Sequence, residues 1–128
     1  ANLKDTNLSG VDLQSAYLNI SYLVGANLDH ANLKKIMIMN TNLAGANLER
    51  VNFASARLSM VNLTGAHLKY AIFRDSKLFF TILPDGTACS KNEDMQRFTN
   101  PRHPEYLKTL EKINKIRKES NYPIFNKS

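Results

Sequence analysis

Asp29 and Glu49 are carboxylates twenty residues apart, each followed at once by a base, His30 or Arg50, with Lys69 twenty residues beyond Glu49. Two carboxylates one strand apart can divide acid–base work, one protonated and one ionised. The other residues with reactive chemistry are few. Three histidines, His30, His67 and His103, fall at different phases of the pattern described below, so they do not converge as metal ligands must. Cys89 is the single cysteine, with no evident base partner, and no Gly-rich phosphate loop occurs. What Asp29 and Glu49 can do depends on the backbone that brings them together.

That backbone is set by a five-residue period. Taking every fifth residue from Leu3 to Leu83 gives seventeen large apolar residues without a slip, among them Ile38, Phe53 and Phe73. The residue two before each, from Ala1 to Thr81, is mostly small and never charged. A helix repeats its apolar face at about 3.6 residues and a strand at about 2.0, so neither alone explains five. Two inward side chains separated by one outward residue make a three-residue bridge segment, and the remaining two residues turn the chain. Four corners close a coil of twenty residues, so residues twenty apart stack at about 4.8 Å. Gly10, Gly25, Gly45 and Gly65 all occupy the second central turn position, where a type II turn needs φ > 0; Asn40 holds the same place.

Units such as ANLDH, ANLKK and ANLER resemble the pentapeptide-repeat family over residues 1–85, and TILPDGT resembles the close of the repeat region in small stand-alone members abundant in cyanobacteria. The resemblance implies an all-β solenoid, a right-handed quadrilateral β-helix, here of about four coils. The expected organisation is residues 1–86 as the β-helix and 87–128 as a C-terminal helical cap and tail.

Laying the coil out by face sorts the surface. Asn2, Tyr22, Asn42 and Asn62 stack on the first face, and Asn7, Asn27, Asn47 and His67 on the second, where amide ladders between coils are expected. Asp29 and Glu49 share a flat column of the second face with Arg50 and Lys69 beside them, which favours a solvated charge ladder over a catalytic pair. The fourth face differs: Tyr17, Ile20, Met37, Met39, Met60, Phe79 and Phe80 are expected to point outward. An apolar patch of that length marks a contact surface, filled either by the chain's own tail or by another molecule.

Beyond Pro84-Asp85-Gly86 the period stops. Ser90-Lys91-Asn92-Glu93 reads as a capping box opening a helix to about Phe98, which should close the coil over Phe73 and Leu78. Pro104 suits the first position of a second helix running to about Ser120. Its apolar side includes Leu107, Leu110 and Ile113, and Lys108, Lys112 and Lys115 lie opposite. This helix is expected to lay Leu107, Leu110 and Ile113 on the fourth face near Met39, Met60, Phe79 and Phe80.

The net charge of +6 is concentrated in the tail: residues 1–86 hold eight basic against six acidic residues, and residues 87–128 nine against five. No apolar run is long enough to span a bilayer, and one cysteine fits a reducing, cytoplasmic compartment. The expected function is a non-catalytic structural or protein-interaction module with no cofactor, no metal and no small-molecule substrate. Its partner is expected to be another protein rather than nucleic acid or membrane, with the chain a monomer or weak homodimer. The alternative is the DNA-mimic, topoisomerase-binding subgroup that the family resemblance also implies. Those proteins are longer and acidic along the coil, which this basic, short repeat is not.

Overall fold

The computed structural model describes residues 2–91 and 93–125, and within them the five-residue period becomes a stack of twenty-residue rungs. Parallel bridges join Asn2 to Tyr22, Asn7 to Asn27 and Asp12 to Asn32, and these columns continue to Ile82, His67 and Ile72. The fourth column broadens into strands: β1 (Tyr17–Asn19), β2 (Met37–Met39), β3 (Arg57–Ser59) and β4 (Lys77–Phe79) form one parallel sheet in that order. Leu18 lies opposite Ile38, Ile38 opposite Leu58, and Leu58 opposite Leu78. Twenty is therefore the register everywhere along the repeat.

The core follows from that register. Leu43, Leu48, Phe53, Leu58 and Leu63 are fully buried around one full coil, and small residues such as Ala46, Ala56 and Ala66 pack between them. The rings of Phe53 and Phe73 stack, with centroids 4.9 Å apart. Each large residue so buried contributes roughly 1.5–3 kcal/mol. The first rung is looser: Leu3, Leu8, Leu13 and Leu18 are only partly buried. These four and their upper neighbours, Leu23 to Leu43 at every fifth position, line one axial cavity of about 40 Å³.

Corners recur every five residues. The Thr6 N–H donates to the Leu3 carbonyl at 3.2 Å, Val11 to Leu8 at 3.1 Å and Ala26 to Leu23 at 3.0 Å. The residue before each such donor has positive φ, and Gly10, Gly25, Gly45 and Gly65 stand at 69°, 69°, 69° and 73°, as the turn type requires. Larger residues take the same conformation at Ile20, Met60 and Phe80, with φ of 54°, 54° and 46°. The asparagine columns act differently from the amide ladders expected. The Oδ1 of Asn27 accepts the Asp29 N–H, that of Asn42 the Ala44 N–H, and that of Asn47 the Glu49 N–H. The backbone groups bridge the rungs, which leaves the first turn N–H pointing outward, and the asparagine two residues earlier satisfies it.

The repeat ends where β5 (Thr81–Ile82) pairs antiparallel with β6 (Ala88–Cys89). Helix α1 (Gln96–Thr99) is shorter than expected. The expected capping box includes Asn92, which lies outside the described residues, and the helix opens later, with Asp94 Oδ1 accepting the Gln96 N–H at 3.0 Å. Met95 and Phe98 join the core, and the Tyr70 N–H donates to the Thr99 carbonyl at 2.8 Å, so α1 rests on the last rung beside Phe73. Helix α2 (Tyr106–Glu119) follows after a short connection. Among the described residues no helix is long and apolar enough to cross a membrane.

Candidate functional site

The stacking that aligns Asp29 with Glu49 also gives each carboxylate a neighbour. His30 Nδ1 lies 2.9 Å from Asp29 Oδ1, and Arg50 donates to Glu49 Oε1 at 3.0 Å. His67, next along the asparagine column, places Nε2 3.7 Å from Glu49 Oε2. The structure encloses this imidazole by stacking the Phe125 ring on it at 3.6 Å. Burial, and then the charges of Arg117 and Lys69 against an opposing pull from Asp29, lowers the His67 pKa to about 4. It is therefore neutral at pH 7, and the ring works as a packing surface. Arg50 and Lys69 flank the exposed Tyr70 ring at 5.4 and 5.3 Å. The column is a charge ladder with one end roofed by the tail. Among the described residues, no three potential metal ligands come together.

The roof overturns the expected placement of the tail helix. Arg117 donates through Nη1 to the Gly45 carbonyl at 3.0 Å and the Gly65 carbonyl at 2.7 Å, and through Nε to the Pro123 carbonyl at 2.6 Å. Its guanidinium also lies 4.2 Å from the Phe125 ring centroid and 5.5 Å from that of Tyr122. Burial lowers its pKa to about 10, which leaves it charged at pH 7. The Tyr122 ring lies against Gly25 and Gly45, and Ile116 against Gly65 and Gly86. Asn114 fastens the end by exchanging two hydrogen bonds with the Phe125 backbone.

Helix α2 thus packs on the glycine corner between the first and second faces, not on the fourth. Two physical reasons set this. The connection from Thr99 starts beside Tyr70, at the far edge of the second face. Residues 100–105 coil into two turns, with the His103 N–H donating to the Asn100 carbonyl and the Tyr106 N–H to the His103 carbonyl, so that α2 starts close to that face. Glycine corners also let a side chain approach the backbone carbonyls, which any Cβ would obstruct. Leu110 and Ile113 are buried as expected, but Leu107 is 48% exposed. The buried stripe runs through Tyr106, Thr109, Leu110, Ile113 and Arg117. Burial and the nearby Glu49 charge raise the Tyr106 pKa to about 12. Arg117, Tyr122 and Phe125 were not expected as anchors; the stacked glycines at 25, 45 and 65 were the available signal for a close approach.

Among the described residues, none covers the fourth face as the tail covers the glycine corner. Ile20 and Phe80 are each 71% exposed, Met60 59% and Tyr17 58%. Met37 and Phe79 are also exposed, and Met39, half-buried, accepts the Tyr17 hydroxyl at 3.6 Å through its sulfur. Met37, Met39, Arg57, Ser59 and Phe79 line a shallow recess of about 230 Å³.

A parallel-stacked coil with turns every five residues and an uninterrupted apolar column defines a class of repeat protein. The chain belongs to the pentapeptide repeat family, whose model, described as pentapeptide repeats, matches in eight copies over residues 1–36 and 39–69. It is similar to HetL, a pentapeptide repeat protein involved in heterocyst differentiation regulation from the cyanobacterium Nostoc sp. strain PCC 7120. The two share 34% identity over 69% of this chain and 43% of HetL, with a TM-score of 0.60. Rfr23, a pentapeptide repeat protein from the cyanobacterium Cyanothece 51142, is 30% identical over 62% of this chain and 58% of its own, with a TM-score of 0.54. This chain therefore spans less than two thirds of either relative. Among curated protein sequences, none matches it.

Proposed function

We propose that the chain is a non-catalytic protein-interaction module, a right-handed quadrilateral β-helix of about four coils that holds its fourth face rigidly toward another protein. One observation carries this reading. The chain's own amphipathic tail is occupied on the glycine corner, while Phe79 of the four-stranded sheet and Ile20, Met60 and Phe80 at the corner beside it stay exposed. Contiguous apolar surface of this kind marks contact sites on soluble proteins. HetL, similar over part of its length, is involved in heterocyst differentiation regulation, and a regulatory rather than catalytic role fits this reading.

The test is a benzophenone crosslinker placed at Phe80 on the fourth face and, separately, at Asn52 on the third, irradiated in an extract of the source cells. A discrete adduct with another protein from position 80 and not from position 52 supports the reading. Equal labelling from both positions, or none from position 80, overturns it. The absence of any effect on gyrase supercoiling is expected alongside.

A further inference from the structure

The fourth face is not uniformly apolar, and its charges are of one sign. Across β1 to β4 the outward positions include Arg57 and Lys77, both exposed and in register on neighbouring strands, and no carboxylate. The corner that leads into the sheet adds Lys34, Lys35 and Arg74, against the single acid Asp75. The opposite corner carries Ile20, Asn40, Met60 and Phe80. Crossing the face from one edge to the other, a partner meets a cationic row, then the Met39 and Phe79 column, then an apolar edge.

We infer that this face takes an acidic amphipathic helix from another protein, laid across the four strands with its carboxylates on the Arg57–Lys77 side; this rests on the fourth face being the contact surface. Dimensions agree with a helix. Three steps of about 4.8 Å span roughly 14 Å, the length of about ten helical residues at 1.5 Å each. The recess beneath Arg57 holds about 230 Å³, below the roughly 300–1,000 Å³ of small-molecule pockets. It suits one anchoring side chain, leucine or phenylalanine, with a carboxylate one turn away against the guanidinium. A bilayer has no single knob to place there, which favours a peptide over an anionic lipid surface.

The experiment is selection of a displayed library of 14-residue helix-forming peptides on the intact chain. The expected winners carry apolar residues at i, i+3, i+4 and i+7 with Asp or Glu along one flank. Exposed ion pairs each change affinity by up to about five-fold, so replacing the selected acids by Gln is expected to weaken binding about ten-fold. The double variant Arg57→Glu, Lys77→Glu is expected to shift selection toward Lys and Arg, while Lys112→Glu, Lys115→Glu on α2 leaves it unchanged. Winners without acids whose binding Met39→Glu abolishes would overturn the charge inference and leave the contact surface standing. Binding that follows Lys112 and Lys115, an empty selection, or capture of phosphatidylglycerol vesicles in place of peptides would each overturn the proposal. The crosslinking experiment judges the underlying surface independently.

Discussion

The glycine corner and the fourth-face corner are built by the same repeat and end in opposite fates. At residues 25, 45 and 65 the turn residue is glycine, and a tyrosine ring and an arginine press onto the backbone there. At residues 20, 60 and 80 the same left-handed position holds isoleucine, methionine and phenylalanine, which stand out into solvent. Glycine meets that φ without strain, whereas a residue with a Cβ pays roughly 1–2 kcal/mol. The difference shows that the second turn residue decides whether a corner is a seat for the chain's own tail or a display of side chains for something else. The fold is indifferent between them, because the Leu column beneath is the same.

The largest expected effect breaks the covered side. Arg117→Ala strands two buried carbonyls and empties the space beneath Phe125, each unsatisfied group costing about 1–3 kcal/mol. A loss of about 4 kcal/mol in urea unfolding is expected, with faster amide exchange over residues 114–125. Unchanged exchange there would show that Arg117 does not hold the tail.

Acid should act on the same side. The unfolded chain takes up a proton on His67 near pH 6.5 and the folded chain only near 4. Between those values the unfolded state binds more protons, so stability falls as pH falls. At about 1.4 kcal/mol per pH unit the loss approaches 3 kcal/mol by pH 4. Burial first, and then the charges of Arg117 and Lys69, hold the imidazole neutral while Asp29 draws the other way. Urea midpoints of His67→Gln should therefore vary less between pH 6.5 and 4 than those of the parent.

Two glycines sharpen the contrast. A Cβ at Gly10 meets nothing within 4 Å, while one at Gly45 lies 2.5 Å from the Tyr122 ring, and the two have the same φ. Gly10→Ala should cost about 1 kcal/mol from the backbone alone, and Gly45→Ala about 2 kcal/mol because the ring must also move. Equal costs would mean that the tail yields freely. On the bare side the sign reverses. Phe80→Gly relieves a left-handed residue that is mostly exposed, so it should stabilise by up to about 1 kcal/mol while weakening capture of a partner. A variant both less stable and equally able to bind would place Phe80 in the structure and not in the contact.

Much of this was legible in the sequence because the period of five is strict. The unbroken column from Leu3 to Leu83 determines the twenty-residue register, and the register determines which outward residues share a face. Sequence periodicity was silent on direction in the tail. The spacing of Leu110 and Ile113 shows that α2 buries one side but not which surface receives it, and the apolar fourth face was the one expected. The choice was made by the turns after Thr99 and by carbonyls exposed at glycines, neither of which a helical wheel displays. The asparagine columns were misjudged for a related reason. Stacking every twenty residues suggests side chains bonding between rungs, yet the nearer unsatisfied group is a turn N–H two residues along the same chain.

The bridges between rungs run along the stacking direction, so a pull applied along that direction loads them one after another, as in a zipper opened from its end. The loosely packed first rung, with Leu3 and Leu8 only partly buried, would part before the rest. Arg117 changes this at one place. Its Nη1 group grips the Gly45 and Gly65 carbonyls, which belong to successive rungs, from outside the stack. The tail is then a stitch across two turns of a spring, and tension transmitted through a bound partner would meet its first firm resistance there.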